Sequence, residues 1–122
     1  MDLELCFPLQ HQKEGSTATV AYIDGNAVWF ASTGDSKAFY LSAEHVLLFE
    51  SEEHNTRNSN ELDRVCAHNV LINYNGNQFY VYGPSKSYGL NLTRSLGDHH
   101  LKNETQGALI CDPVITRHER NR

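Results

Sequence analysis

Two tripeptides, Asp24-Gly25-Asn26 and Asn75-Gly76-Asn77, each stand between runs rich in β-branched and aromatic residues. They constrain the fold more than any other feature of the chain. Gly and Asn tolerate the positive φ of a tight turn, so such a tripeptide between apolar runs specifies an antiparallel hairpin. The first hairpin joins a strand over 17–23, with Val20, Tyr22 and Ile23, to one over 27–32, with Val28, Trp29 and Phe30. The second joins 70–74 to 78–82. Gly34-Asp35-Ser36 turns the chain into a further strand over 37–41, and Ser42-Ala43-Glu44-His45 leads to a short apolar strand over 46–49. Four strands on tight connections predict an antiparallel meander in the first half.

Between the hairpins, residues 50–60 are polar and aperiodic and read as a loop. Asn60 is placed to cap a helix over 61–68, with Leu62, Val65 and Cys66 on one face. Residues 83–91 read as an irregular crossing. Residues 108–110 and 114–116, on either side of Asp112-Pro113, read as short edge strands. Tyr22, Trp29 and Phe30 are expected in the core. The predicted class is α+β, mainly antiparallel β with one short helix. At 122 residues the chain is one domain with room for a core.

Charge and cysteine usage narrow the partners. A net charge of −5 argues against a nucleic-acid footprint, which needs clustered Lys and Arg. No apolar run approaches the roughly eighteen residues of a membrane span. Met1 to Leu9 is acidic and holds Pro8, unlike a secretory signal. Cys6, Cys66 and Cys111 are odd in number and form no Cys-x-x-Cys pair, which fits reduced thiols in a cytoplasmic protein.

Short motifs add a more specific reading. Gly15-Ser16-Thr17-Ala18 opens the first strand, and Gly34-Asp35-Ser36-Lys37-Ala38 follows the second. Glu53-His54, then Glu61 with Arg64-Val65, precede the block from Gly89 to Asp98 (GLNLTRSLGD), and Asp112-Pro113-Val114 lies beyond it. In order and spacing this set resembles the metal-dependent protein serine/threonine phosphatases of type 2C. The resemblance covers 15–119, leaving 1–14 as an N-terminal segment and 120–122 as a tail. It implies a sandwich of two antiparallel sheets flanked by helices. It also implies two Mn or Mg ions, held by carboxylates, activating a water that attacks phosphoserine or phosphothreonine.

The family's metal ligands lie in a Glu-Asp pair, in Asp-Gly-His-Gly-Gly, in Asp-Gly-x-Trp-Asp and in Gly-Asp-Asn. This sequence contains none of these four motifs. Ala67-His68-Asn69 also stands where two glycines are usual in the family. The expectation is therefore a truncated phosphatase domain with activity absent or strongly reduced and no complete Mn or Mg site. The alternative is a non-catalytic pseudophosphatase module that binds through an exposed sheet.

The resemblance implies that Asp35 contributes to a third metal position. One carboxylate cannot hold Mn or Mg alone, so capping of its own turn is the favoured role. His99 and His100, beside Asp98 and near Glu104, are metal-ligand types, but adjacent histidines on a strand point to opposite faces and are expected as exposed loop residues. Ser16 and Ser36 lack a base for nucleophilic catalysis. Arg94 either grips a phosphate or is buried against Asp98 or a backbone carbonyl, and the second is expected. No catalytic or phosphate-binding residue is assigned.

Half of a sandwich leaves an apolar face and a strand edge open. The chain is therefore expected to form a homodimer, by face-to-face stacking or exchange of a strand or hairpin, or to bind another protein. A metal site assembled from Asp35, Asp98 and Asp112 of two chains is a further alternative.

Overall fold

A computed structural model describes residues 13–86 and 88–120. Cys6 and the Met1 to Leu9 stretch lie outside the described residues. In chain order the first elements are β1 (Gly15–Ser16), β2 (Ala18–Asp24), β3 (Ala27–Thr33), β4 (Phe39–Leu41), β5 (Leu47–Glu50) and α1 (Ser59–Cys66). There follow β6 (Leu71–Tyr74), β7 (Phe79–Tyr82), β8 (Gly89–Leu90), β9 (Leu96–Gly97), α2 (His99–Thr105) and β10 (Val114–Glu119).

Both hairpins form where their turns place them. β2 and β3 pair from Ala18↔Thr33 to Asp24↔Ala27, closing on a two-residue turn in which Gly25 takes φ 46°. β6 and β7 pair from Leu71↔Tyr82 to Tyr74↔Phe79 around Gly76 at φ 91°. Asn75 Oδ1 accepts from the backbone N–H groups of Asn77 and Gln78, so the turn is held by its own side chain.

The meander divides. Among the described residues β4 and β5 pair only with each other, while β10 joins the first hairpin in the order β10-β3-β2. Gly34, at φ 106°, swings the chain out of the sheet, and the β4–β5 hairpin folds across one face of β3. There Phe30 meets Phe49, Tyr40 and His118 at ring separations of 5.0, 6.0 and 5.7 Å.

The expected burial of Tyr22 and Trp29 is corrected by this arrangement. Successive residues of a strand face opposite sides. With Phe30 turned toward β5, Trp29 points the other way, in one row with Tyr22 and Arg117, and both aromatics are exposed. The next row on that face is Val20, Ala31 and Ile115. The sheet thus presents an open apolar surface.

A separate core lies under α1, α2 and the second hairpin. Val65, Val81, Leu101, Ala108 and Leu109 are buried together, with Val70, Ile72, Tyr88 and Leu90 packed around them. Residues 108–110 serve this core rather than an edge strand, and Ile110 makes a lone parallel bridge to Arg94. The 114–116 strand is longer than expected, running to Glu119 on the edge beside β3.

Two further differences concern helices. α1 starts two residues before the expected position because Asn58, not Asn60, is the cap: its Oδ1 accepts from Asn60 N–H at 3.1 Å. Its buried face is Glu61 and Val65, and Cys66 is exposed. α2 is a second helix beyond the one the sequence predicts, and its residues HHLKNET have little intrinsic helix preference. It is held by Leu101 and Thr105, both fully buried. Among the described residues no helix is long and apolar enough to cross a membrane.

Candidate functional site

The motif residues converge on a buried polar seam between the two cores. Its centre is Glu61 on the first turn of α1, 5% exposed. Arg94 forks onto it with Nε to Oε1 at 2.8 Å and Nη2 to Oε2 at 3.1 Å. Arg64, one turn along the helix, donates to both carboxylate oxygens at 3.2 and 3.3 Å, and Thr93 Oγ1 donates to Oε1 at 2.8 Å. A charge is tolerated at such depth only when paired and hydrogen-bonded on every side.

The two arginines carry the network outward. Arg64 also donates to the carbonyls of Ala108 and Thr93, and Arg94 to that of Asp112. One carboxylate therefore fastens α1, the 91–98 segment and the 108–112 segment together. Burial pushes the Glu61 carboxyl up. The hydrogen bonds from Arg94, Arg64 and Thr93, with the Arg64 charge, more than reverse this and bring its pKa down to about 2.

Next to this knot, the polar segment 51–58 is drawn inside. His54 and Asn55 are fully buried, with Ser51 and Thr56 nearly so. His54 braces the Gly-Asp-Ser turn: its N–H donates to Gly34 O at 3.0 Å and its Nδ1 accepts from Gly34 N–H at 3.0 Å. Nδ1 is thus the acceptor and the ring proton sits on Nε2, which has no hydrogen-bond partner among the described residues. On the other side the His54 carbonyl accepts from Thr93 N–H at 2.9 Å. Asn58 Nδ2 holds the Glu53 carbonyl, and Thr56 Oγ1 holds that of Phe79. The loop expected from its polarity is a loop, but its side chains replace the missing ladder bonds and allow it to be buried.

His54 has a measurable consequence. Burial, then the charges of Arg94 and, less strongly, Arg64, hold its pKa below the ordinary 6.5, against the opposing pull of Glu61 and Glu52. The unfolded chain therefore takes up a proton near pH 6.5 that the folded chain refuses, and stability falls as pH drops below that value. The slope approaches about 1.4 kcal/mol per pH unit at a difference of one proton. Denaturation midpoints followed from pH 7.5 down to 5.5 should decline in the wild-type chain and more shallowly in His54→Asn. Equal slopes would remove His54 as the cause.

The sequence-derived candidates fall at separate places. Asp35 is partly buried and accepts from Asn55 Nδ2 at 3.3 Å, while Glu53 accepts from the same amide at 3.0 Å. Asn55, which the sequence reading passed over, thus gathers these carboxylates; its signal was an Asn in a polar run beside Glu53-His54. The anticipated backbone capping by Asp35 is replaced by this side-chain bond. Asp98 accepts from Ser95 Oγ at 2.7 Å and lies against Gly15, where any Cβ would collide with its carboxylate. The Asp112 contribution is its carbonyl, to Arg94. Arg94 is anchored by a carbonyl as expected, but its acidic partner is Glu61, not Asp98. With Nε and both terminal nitrogens engaged, it is a strut between segments.

His99 and His100 stand on the first turn of α2 and are half-buried, not exposed on a loop. His100 Nε2 lies 3.2 Å from Glu104 Oε2 through i,i+4 helix spacing, and its ring stacks on Tyr88 at 5.9 Å. Ser36 Oγ meets Thr17 Oγ1 at 2.7 Å and Ser16 Oγ bonds the Thr17 carbonyl, so neither is placed against a base.

The donor set can be compared with what Mn or Mg requires. Such hard cations take about six oxygen ligands, and a binuclear centre takes more. Among the described residues no three His, Cys, Asp or Glu side chains come together, and Asp35 and Glu53 are joined only through an amide N–H. These residues do not by themselves fit a binuclear centre. A groove of about 360 Å³ beside Glu53 is lined by Lys37, Arg57, Glu50 and Glu52, among others. Its carboxylates outnumber its cations, and Lys37 lies 3.6 Å from both Glu50 and Glu53. The balance disfavours an unaccompanied phosphate.

Comparison with known proteins gives one consistent answer. The sequence model of the protein phosphatase 2C family matches residues 3–122, a wider span than the 15–119 on which the motifs lie. A Dictyostelium discoideum protein named as a probable protein phosphatase is 32% identical over 107 residues, covering 84% of this chain and 10% of that protein. An Oryza sativa subsp. japonica protein named as a probable protein phosphatase 2C is 29% identical over 109 residues, 89% of this chain and 20% of that one. The solved structure of a C. elegans sex determining protein superposes with a TM-score of 0.69 and 26% identity, over 89% of this chain and 25% of that chain. The chain therefore spans between a tenth and a quarter of the length of these relatives. With a family match along nearly its whole length, and with the matched motifs meeting in one buried seam, this chain belongs to the protein phosphatase 2C family.

Proposed function

We propose that this chain is a scaffold portion of a type 2C serine/threonine phosphatase domain whose own activity toward phosphoserine and phosphothreonine is absent or strongly reduced. The observation that carries this is the division of labour among its charged groups. Glu61, Arg64 and Arg94 are consumed in holding three segments together, and Asp35 of the Gly-Asp-Ser turn and nearby Glu53 meet, among the described residues, only through Asn55. In this reading Asp35 would contribute to a third-site Mn or Mg position only when other ligands join it. The free thiols of Cys66 and Cys111 support placement in the cytoplasm.

A second reading is a non-catalytic module that binds another protein through the open face of the β10-β3-β2 sheet. Exposed Val20, Tyr22, Trp29 and Ile115 favour it, since contiguous apolar surface of this kind marks interaction sites.

Hydrolysis of p-nitrophenyl phosphate with Mn²⁺, run beside Mn²⁺ titration calorimetry on the 122-residue chain, tests the proposal. The expected outcome is turnover at background and no saturable heat, unchanged in Asp35→Ala. Robust Mn²⁺-dependent turnover would overturn it, and loss of that turnover in Asp35→Ala would make Asp35 a working ligand.

A further inference from the structure

The outer strand β2 has one neighbour, β3, and among the described residues no strand pairs with its other edge. The register settles which groups are unpaired. A two-residue turn closes on a hydrogen-bonded pair, here Asp24↔Ala27, and hydrogen-bonded and non-bonded pairs alternate from there. The backbone groups of Ala18, Val20, Tyr22 and Asp24 therefore face β3. Those of Thr19, Ala21 and Ile23 face outward, and among the described residues neither a paired strand nor a loop supplies a hydrogen bond to their N–H groups. Val20, Tyr22 and Ile23 are 56, 63 and 61% exposed. A seven-residue strand with these side chains and an open edge is a template for another strand.

The strand is also complementary to itself. Antiparallel pairing about a two-fold axis at Ala21 overlaps all of Ala18–Asp24 with its copy. It matches Ala21 with Ala21, Thr19 with Ile23 and Ala18 with Asp24. Each outward-facing residue then meets an outward-facing residue, so the ladder bonds can all form. Val20 falls opposite Tyr22 on the apolar face, an aromatic–β-branched pair of the favourable kind. The one charge on the strand, Asp24, meets Ala18, so no like charges oppose each other. The row of Trp29, Tyr22 and Val20 continues across the axis into the apolar rows of the second sheet.

We infer that β2 is a homodimer edge: two copies of this chain join β2 to β2 into one six-stranded sheet in the order β10-β3-β2-β2-β3-β10. The inference is independent of whether the chain hydrolyses phosphate. It also differs from face-to-face stacking, which would use Trp29 and Ile115 and leave the outward amides of β2 exposed.

Size-exclusion chromatography with light scattering on the full chain at tens of micromolar should give twice the 13.8 kDa chain mass. Ala21→Pro removes an outward N–H at an edge position that tolerates proline, and should yield a folded monomer by circular dichroism. Trp29→Lys should leave the dimer intact. Hydrogen exchange covers the case in which Ala21→Pro fails to fold: amides of Thr19, Ala21 and Ile23 in the wild-type chain should gain protection as concentration rises. A wild-type monomer would overturn the inference. So would a dimer that survives Ala21→Pro, one lost in Trp29→Lys, or outward amides that exchange freely at every concentration.

Discussion

Replacing Glu61 by Ala is expected to lower the unfolding free energy by about 3–5 kcal/mol, the usual penalty when one partner of a buried ion pair is removed. Such a loss is a large fraction of a small domain's whole stability. The penalty arises less from the lost attraction than from what is left behind. Arg64 and Arg94 would remain largely enclosed with four donated hydrogen bonds unmade, and Thr93 Oγ1 would lose its acceptor. Glu61→Gln keeps an acceptor oxygen and the side-chain volume, so it should cost clearly less than Glu61→Ala.

The same residue has a pH signature. Its folded pKa of about 2 lies below the ordinary 4.5, so its contribution is complete above about pH 4.5 and is lost as pH falls toward 2. Urea denaturation at pH 7 gives the three stabilities, and a series between pH 5 and 3 tests the linkage. The wild-type chain should weaken over that range more steeply than Glu61→Gln. A Glu61→Ala variant within 1 kcal/mol of wild type would show that the network is not structural in the way its geometry implies.

Gly34→Ala is the second large effect, expected at about 2–5 kcal/mol. Two costs combine. Gly34 sits at φ 106°, where an L-residue with a side chain is strained by about 1–2 kcal/mol. A Cβ there would also collide with the Thr17 side chain, coming within 2.8 Å of Thr17 Cβ, and relieving such overpacking costs about 1–3 kcal/mol. Moving the backbone offers no cheap escape, because Gly34 N–H and C=O are both bonded to His54. Gly25→Ala is the internal control: φ is positive, but nothing lies within 4 Å of an added Cβ, so only the conformational cost should appear. Thermal melts of both variants and of Gly34→Ala/Thr17→Gly, which removes the colliding Thr17 Cβ, would separate the costs. Equal losses in Gly25→Ala and Gly34→Ala would dismiss the steric part.

Much of the architecture was legible in local chemistry. The turns at Gly25 and Gly76 mark their hairpins because only certain residues accept positive φ, a property of the residue and not of its surroundings. The division of the meander was not legible, because a turn at Gly34 is compatible both with continued pairing and with folding the next hairpin over β3. The choice depends on Phe30 finding Phe49. α2 carries no local signal for a related reason, since its helicity comes from burial of Leu101 rather than from propensity.

The candidate site divides along the same line. Its residue types can be read in order along the chain, and that order by itself points to the family. Their roles cannot. Asp98 was the natural partner for Arg94 by sequence distance, yet Glu61 has that place, and His54 proved to be the brace of the turn that carries Asp35. Sequence alone determined the hairpins, the family and the polar character of the 50–60 loop, because these follow from backbone preferences and short-range order. Tertiary structure alone decided which charges are buried, which carboxylate receives which arginine, and which apolar face stays open. Desolvation and hydrogen-bond geometry depend on neighbours that folding brings from distant parts of the chain.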